Sequence, residues 1–176
     1  MPVTKKKLTT SFTWIAAKKI LSRDVNIPVK QVYCWVFTED KRLILVSKDG
    51  KKWQFPGGHP KLGESTIDTC KRELFEETGL KIDGMEQKLL FFGYYHVIEP
   101  NDTDTALRNI LQLRYLLKLD INSNNLVLKP QEKDTEIEQE KIKFVKAFSL
   151  DQAIIHISWL NKSEEYQRFK KMAKIN

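Results

Sequence analysis

The alternation of apolar and polar residues predicts β-strands for most of the middle of the chain. Residues 31–38 are dense in β-branched and aromatic side chains, and a second apolar run, 42–46, follows three polar turn residues. Two such runs joined by a short polar turn predict an antiparallel hairpin. Further strands are predicted at 53–55, 87–98, 109–119 and 142–148. We expect the strands at 87–98 and 109–119 to pair across the polar segment between them.

Helical spacing of apolar residues predicts a well-marked helix over 66–78. Ser65 followed by Asp68 forms a capping pair at its start, and Gly79 suits its C-terminal cap. The apolar face, which we expect to point at the core, is formed by Ile67, Cys70 and Leu74. Weaker patterns predict a short amphipathic helix within 12–22, a helix over 150–160 and a short basic helix at the end of the chain. Runs of strands with few helices between them predict an α+β fold with a mixed sheet covered by helices.

Composition and charge narrow the class of protein. The chain has 176 residues, of which 41% are hydrophobic and 30% charged, so we expect one folded domain and no membrane span. The net charge is +7, and residues 1–30 hold seven Lys or Arg against one Asp. This basic arm can attract nucleic acid or other polyanions, although a solvated surface is the commoner reason for such a charge run. Cys34 and Cys70 lack metal-ligand spacing, so we expect both to be reduced and buried in a cytoplasmic protein.

Three glutamates carry the clearest chemical signal. Glu73, Glu76 and Glu77 lie at i, i+3 and i+4, which places their carboxylates on one face within a single helical turn. Like charges so close together repel one another, so the arrangement favours a bound hard cation such as Mg²⁺ or Mn²⁺. Gly57 and Gly58 precede the helix, where they would let the backbone approach a metal ion or a phosphate closely.

The full pattern resembles the Nudix box, the signature of the Nudix hydrolases. It consists of Gly58, five residues, Glu64, seven residues, and then the nine residues from Arg72 to Leu80, R-E-L-F-E-E-T-G-L. Every specified position of the signature is matched. The resemblance covers about residues 30–155, and it implies a Nudix-like α/β/α sandwich with a mixed central sheet. We accordingly divide the chain into a basic arm (1–30), a Nudix hydrolase domain (31–160) and a C-terminal helix packed on it (161–176).

The resemblance also implies a reaction and a set of site residues. Nudix hydrolases cleave a diphosphate linked to a nucleoside by water attack on phosphorus, with Mg²⁺ or Mn²⁺ bound. Carried over by position, the metal ligands are Glu73, Glu76 and Glu77, with the Gly57 carbonyl as a further ligand. Arg72 would orient Glu73, and Glu64 would tie the loop to the helix. Phosphate contacts are assigned to Gly57, Gly58 and His59.

The sequence alone does not identify the general base of the reaction or the pocket that binds the nucleobase. Family members often take a base from a later acidic residue in a variable loop, and we favour Glu138 over its competitors, Glu99, Asp102, Asp104, Glu136 and Glu140. A base within the box is equally compatible with the pattern. The aromatic side chains eligible to stack on a nucleoside are Trp35, Phe92, Tyr94, Tyr95 and Trp159, and His96 is eligible for a substrate contact.

Three functions follow, from two classes of protein. The first is a pyrophosphohydrolase acting on a nucleotide sugar, an ADP-ribose-like compound, a dinucleoside polyphosphate or a damaged nucleoside triphosphate. The second is removal of a cap or a 5′ diphosphate from RNA, for which the basic arm and the basic final helix are the only support. The third is a Nudix module that binds a nucleotide or a protein without turnover, which the complete set of charged box residues disfavours. A homodimer is compatible with all three.

Overall fold

The computed structural model describes residues 9–100, 106–131 and 141–175. Its strands are β1 (Ser11–Ile15), β2 (Val29–Phe37), β3 (Arg42–Ser47), β4 (Trp53–Gln54), β5 (Gly57–Gly58), β6 (Leu89–Pro100), β7 (Leu107–Lys118) and β8 (Phe144–Ser149). Its helices are α1 (Thr66–Thr78), α2 (Leu150–His156) and α3 (Glu164–Ala173). The predicted hairpin, the pairing of β6 with β7 and the helix α1 are all confirmed.

The sheet is mixed, as predicted. Its strand order is β1-β6-β7-β2-β3-β4, with β5 paired to β2 and β8 paired to β3. Strands β2 and β7 are parallel, whereas the other pairs are antiparallel. Strands β2 and β3 pair only at Val36–Phe37 with Leu43–Ile44. Beyond that point β5 pairs with β2 and β4 pairs with β3, so the segment 53–58 runs between the two diverging strands.

Alternating side chains of the central strands build one core on each face of the sheet. On β2, Val32, Cys34 and Val36 pack with Leu74 of α1, while Trp35 packs on the opposite face with Phe169 of α3. Period-two alternation assigns successive residues to opposite faces, so one helix covers one face and two helices cover the other. This is the predicted α/β/α sandwich. Both cysteines are free and buried within the first core.

The helix predicted within 12–22 is wrong. Residues 11–15 form strand β1, which pairs antiparallel with residues 94–98 of β6. The apolar residues of this segment were read at helical spacing, but Thr and aromatic side chains also favour strands, and the edge of β6 offers hydrogen-bond partners that a sequence pattern cannot reveal. Phe12 and Trp14 then lie on one face, where both rings contact Tyr95.

Two smaller expectations about helices also need correction. Ile67 is predicted on the buried face of α1, but its side chain is exposed, whereas Cys70 and Leu74 on the next two turns are buried in the core. The helix predicted over 150–160 ends at His156, and a short 3₁₀ turn follows at Leu160–Lys162. No helix among the described residues combines the length and the apolarity needed to cross a bilayer.

Candidate active site

Helix α1 holds the box glutamates in a fixed position because both of its ends are capped. The Ser65 hydroxyl accepts a hydrogen bond from the backbone N–H of Asp68 at 3.1 Å, and the helix stops at Gly79, whose N–H donates to the carbonyl of Phe75. Leu74 is completely buried and anchors the helix to the sheet. The same rotation of the helix buries Glu73 and Glu77, so these two carboxylates lie against the protein and not on a solvated face.

The Arg72 guanidinium links three carboxylates of the box. It donates two parallel hydrogen bonds to Glu64, from Nε at 2.7 Å and from Nη2 at 2.9 Å. Its Nη1 donates to Glu73 at 2.6 Å and to Glu76 at 3.0 Å, and Nη2 also reaches the carbonyl of His59. Charge-assisted, bidentate bonds of this kind fix geometry as well as adding energy. The bonds from Arg72 also lower the pKa of Glu64 to about 2.

Glu64 connects the loop to the helix. Its carboxylate accepts hydrogen bonds from the backbone N–H of Lys61 and from the hydroxyl of Thr69, in addition to those from Arg72. The loop before α1 is therefore joined to the first turns of the helix through one carboxylate. A second cation, the Lys61 ammonium of the loop, lies 3.8 Å from Glu76 Oε1.

The glycine pair lies directly against the glutamates. The backbone N–H of Gly57 donates to Glu77 Oε2 at 2.8 Å. Gly57 has a φ of +154°, and a Cβ there would lie 2.7 Å from the Cα of Tyr33 and closer still to the carbonyl of Val32, so only glycine fits. A Cβ on Gly58 would overlap the carboxylate of Glu73. Because Gly58 has no side chain, the carboxylate of Glu73 can occupy this space.

The donor set at this site fits a hard divalent cation. Carboxylate oxygens and a backbone carbonyl are the ligands that Mg²⁺ and Mn²⁺ prefer. In the described part of the chain, no three His, Cys, Asp or Glu side chains converge closely enough to form a metal cluster. Glu73 and Glu76 turn toward Arg72, and Glu77 turns toward Gly57. The absence of a side chain at Gly58 nevertheless leaves space beside the Glu73 carboxylate in which an ion could be bound.

The other residues named from sequence have different fates. The His59 carbonyl is engaged by Arg72 and its side chain is exposed. Glu99 forms ion pairs with Lys30 and Arg108, and hydrogen bonds, first of all the one from Lys30, lower its pKa. His96 lies beside Asn109, 2.9 Å from its side-chain oxygen. The remaining base candidates fall outside the described residues: Asp102, Asp104, Glu136, Glu138 and Glu140.

A cavity of about 590 Å³ is lined in part by residues 53–55, the segment that leads to the glycine pair, and the sequence predicts only some of its lining residues. Of the five aromatic candidates, Tyr95 and Trp159 line it, whereas Trp35, Phe92 and Tyr94 are fully buried in the core. Sequence reasoning missed four further aromatic lining residues, Phe12, Tyr33, Trp53 and Phe55. Trp53 and Phe55 flank Gln54 just before Pro56 and the glycine pair, and this closeness in sequence was the available signal.

Arg114 lines this cavity together with Tyr33 and Tyr95. Its guanidinium carbon lies 4.5 Å from the ring centre of Tyr33 and 5.1 Å from that of Tyr95. Its Nε donates to the completely buried carboxylate of Glu165 at 2.7 Å. Burial raises the pKa of Glu165, and the Arg114 charge opposes that rise. This buried ion pair attaches α3 to β7.

Comparison with known proteins identifies the family. The NUDIX domain family model matches residues 28–169. The mouse protein nucleoside diphosphate-linked moiety X motif 6 is 48% identical over 50 residues, which are 26% of this chain and 16% of that protein. The isopentenyl-diphosphate Delta-isomerase of Salmonella heidelberg is 25% identical over 119 residues, 62% of this chain and 65% of the isomerase. The chain spans only 16% of the length of the first curated relatives it matches.

The solved structures agree on the fold. The Bacillus subtilis pyrophosphohydrolase BsRppH superimposes with a TM-score of 0.54 at 18% identity, covering 95% of this chain and 94% of that one. At this identity the likeness concerns the fold alone. Since the family model covers most of the chain, the protein belongs to the Nudix family. The Nudix prediction from sequence is confirmed.

Proposed function

We propose that this protein is a divalent-metal-dependent hydrolase that cleaves a diphosphate linkage in a nucleoside diphosphate derivative. The observation that carries the proposal is the convergence of Glu64, Glu73 and Glu76 on the single guanidinium of Arg72, beside a glycine pair that leaves space at Glu73. Acidic side chains on an ordinary surface helix are not gathered and buried in this way. The site therefore holds three carboxylates close to the guanidinium of Arg72.

Mg²⁺ or Mn²⁺ would be held by Glu73, Glu76 and Glu77, with the Gly57 carbonyl as a further ligand. When bound, the ion supplies neutralisation of the diphosphate charge and activation of the attacking water. For the described side chains to bind it, Glu73 and Glu76 would turn part of their oxygens away from Arg72. Each carboxylate has two oxygens, so one can stay on Arg72 while the other takes part in ligation.

The remaining steps belong to the residues of the chain. Arg72 orients the carboxylates of Glu73 and Glu76 through its hydrogen bonds, and Glu64 fixes the guanidinium of Arg72. Water attacks one phosphorus, the bond from that phosphorus to the bridging oxygen breaks, and the proton of the water passes to a base. We assign the base to Glu138 or to a glutamate of the box. Glu138 lies outside the described residues, so this assignment rests on the sequence alone.

A substrate panel tests the proposal. Wild-type protein and the Glu77→Gln variant are each mixed with Mg²⁺ and nucleotide sugars, ADP-ribose, dinucleoside polyphosphates, nucleoside triphosphates, isopentenyl diphosphate and a 5′-triphosphorylated RNA, and released phosphate and nucleoside monophosphate are measured. Glu86→Gln is the matched control, because Glu86 pairs with Lys71 outside the glutamate cluster. We expect turnover by wild type and the control and little by Glu77→Gln. An absence of turnover by wild type on every compound would contradict the proposal.

RNA is the second candidate substrate. The fold of BsRppH and the basic charge of residues 1–30 favour it. Binding that relies on Lys and Arg contacts to phosphates weakens steeply with salt. Turnover of the RNA that falls steeply between low and high salt, with slow turnover of free nucleotides, would select this candidate. The homodimer and the cytoplasmic location stay predictions, to be checked by sedimentation and by fractionation.

A further inference from the structure

Exposed lysines flank an exposed aromatic ring at one end of strands β3 and β8. They lie in two segments, the turn 48–52 that follows β3 and residues 143–146 at the start of β8, and the only acidic residue of these segments is Asp49. We call this surface the lysine patch. All of its side chains are exposed, and they belong to Lys48, Lys51, Lys52, Lys143, Phe144 and Lys146.

The pairing of β3 with β8 brings the two segments together. Ser47, the last residue of β3, pairs with Phe144, the first residue of β8. The carbonyl of Ser47 also accepts a hydrogen bond from the backbone N–H of Lys143 at 3.0 Å. The Phe144 ring packs on the turn, since a Cβ at Gly50 would lie 3.5 Å from it. Lysines of both segments are therefore neighbours of the same ring.

The turn that carries three of the lysines has a fixed backbone. The Asp49 carboxylate accepts hydrogen bonds from the backbone N–H groups of Lys51 and Lys52, both at 2.8 Å. The one carboxylate of the patch is thus bonded to the main chain. Within the described residues, four lysines of the patch form no ion pair with an acidic side chain: Lys48, Lys51, Lys52 and Lys146. A surface with this excess of positive charge attracts polyanions.

The ring narrows the kind of polyanion. Phe144 is 47% exposed, although burying a side chain of this size is favourable. Surfaces that bind single-stranded nucleic acid combine cations along the backbone with aromatic rings on which unpaired bases stack. In a duplex the bases already stack on one another, so a ring among lysines favours a single strand. Anionic membranes are bound by amphipathic helices with a broad apolar face, whereas the patch is a turn and a strand with one ring.

The patch lies beside the cavity. The indole N–H of Trp53 donates to the carbonyl of Gly50 at 3.2 Å, and Trp53 also lines the cavity. One side chain therefore contacts both the turn of the patch and the cavity. A polynucleotide bound on the patch would lie next to the cavity and not on a remote surface of the molecule.

We propose that the lysine patch binds the phosphate backbone of a single-stranded polynucleotide, with one base stacked on Phe144. The proposal goes beyond the proposed function, because this binding requires neither the glutamates nor a diphosphate. It also assigns the binding to the patch and not to the basic arm of residues 1–30.

Fluorescence anisotropy with a labelled oligouridylate of about 12 nucleotides tests the proposal, since sites for single strands span about 4–16 nucleotides. The oligonucleotide carries a 5′-hydroxyl and the buffer contains EDTA, so hydrolysis of a diphosphate cannot contribute. On a single strand each neutralised phosphate contributes about −0.7 to the slope of log binding constant against log salt concentration. We expect a slope of about −3 for wild type. The double variant Lys51→Gln, Lys52→Gln should bind more weakly and make this slope less steep by about 1.

The ring is tested separately from the charges. Phe144→Leu keeps an apolar side chain but removes the π-face, so it should weaken binding about tenfold and leave the salt slope unchanged. Phe144→Tyr keeps the ring and should bind nearly as tightly as wild type. Recovery with Tyr and not with Leu is a result that a folding defect would not give.

A matched control removes the same charge elsewhere. Lys18 and Lys19 are also exposed neighbours, but they lie in the basic arm, so Lys18→Gln, Lys19→Gln should leave binding nearly unchanged. Equal losses in the two double variants would overturn the proposal, as would undetectable binding by wild type. The duplex with oligoadenylate, polyglutamate and phosphatidylserine vesicles are tested in parallel. Binding of any of them as tight as that of the single strand would assign the patch to a different partner and overturn the proposal.

Discussion

The glutamate cluster and the aromatic cavity meet at the segment 53–58, yet they are built in opposite ways. The cluster comes from one loop and one helix, residues 57–77, and its geometry is set by neighbours a few turns away. The cavity combines side chains from β1, β2, β6, β7 and the region after α2. Chemistry that resides in a local segment can be read from a sequence, whereas a pocket formed by distant segments becomes visible only in the fold.

The largest effect is expected on the cavity side, where the lining residue Arg114 forms a buried ion pair with Glu165. Arg114→Met keeps much of the volume but leaves the Glu165 carboxylate buried without its cation. We expect a loss of about 3–5 kcal/mol in the free energy of unfolding at pH 8, the range for breaking a buried pair by removing one partner. Urea unfolding monitored by tryptophan fluorescence measures it.

The pKa of Glu165 determines how the stability loss in Arg114→Met depends on pH. Burial raises the pKa of this carboxyl in the folded protein, and without Arg114 it rises further. A carboxyl whose folded pKa lies above its unfolded value contributes stability at low pH that is lost as the pH rises. The deficit of Arg114→Met should therefore shrink when the pH is lowered from 8 toward 5. A deficit that is constant over this window would show that lost packing, and not the unpaired charge, causes it.

The next effect belongs to the glutamate cluster. Glu73→Gln should lower kcat by at least about 10²-fold, the scale for losing a group that stabilises charge in the transition state. The temperature of unfolding should change little, because Gln has the same shape and one oxygen stays available to Arg72. The measurement is steady-state turnover of whichever compound the panel selects. Full activity of this variant would mean that the ligand assignment is wrong.

A smaller effect is expected where the two regions touch. In Gly58→Ala the three heavy atoms nearest to the new Cβ all belong to the carboxylate of Glu73, so the new methyl group would push that carboxylate aside. We expect kcat to fall about tenfold, since misplacing a catalytic group by a fraction of an ångström already costs rate. Gly63→Asn is the control in the same loop, because a Cβ there meets nothing within 4 Å and Asn tolerates a φ of +78°. Equal losses in both variants would argue against a specific role for the space at Gly58.

The smallest effect concerns the link between loop and helix. Hydrogen bonds from Arg72 hold the pKa of Glu64 at about 2 in the folded protein, against an ordinary value of 4.5. This stabilisation is complete above pH 4.5 and is lost as the pH falls toward 2. Glu64→Gln should cost about 1 kcal/mol at neutral pH, because solvent screens the pair. The difference between variant and wild type, followed by urea unfolding, should vanish by pH 2, and a difference that persists there would contradict the assignment.

The parts of the fold that could be predicted are those fixed by local patterns. The hairpin of β2 and β3 was predicted because apolar runs flank a polar turn, and α1 was predicted because its caps, Ser65 and Gly79, lie in the sequence beside its apolar face. The parallel pairing of β2 with β7 was not predicted, since its partners are about 80 residues apart. Strand β1 was mistaken for a helix because its partner strand, β6, is equally remote.

The same limit applies to the site. Glu64, Arg72, Glu73, Glu76 and Glu77 form a spaced motif within 14 residues, so sequence alone gathered them. Tyr33 and Phe12 carried no such signal, because an aromatic residue on a strand is as often core as lining. Arg114 and Glu165 were not singled out either, since ion-pair partners 51 residues apart give no periodic pattern.

Strand β1 has a consequence for the solubility of the molecule. It covers residues 94–98 of β6, a strand of 12 residues whose outer hydrogen-bonding groups would otherwise be available to another chain. Long uncovered strands are templates for aggregation, and short terminal ones are less so. A chain shortened by its first 20 residues would therefore be prone to self-association. It would also lack Phe12, one of the residues that line the cavity.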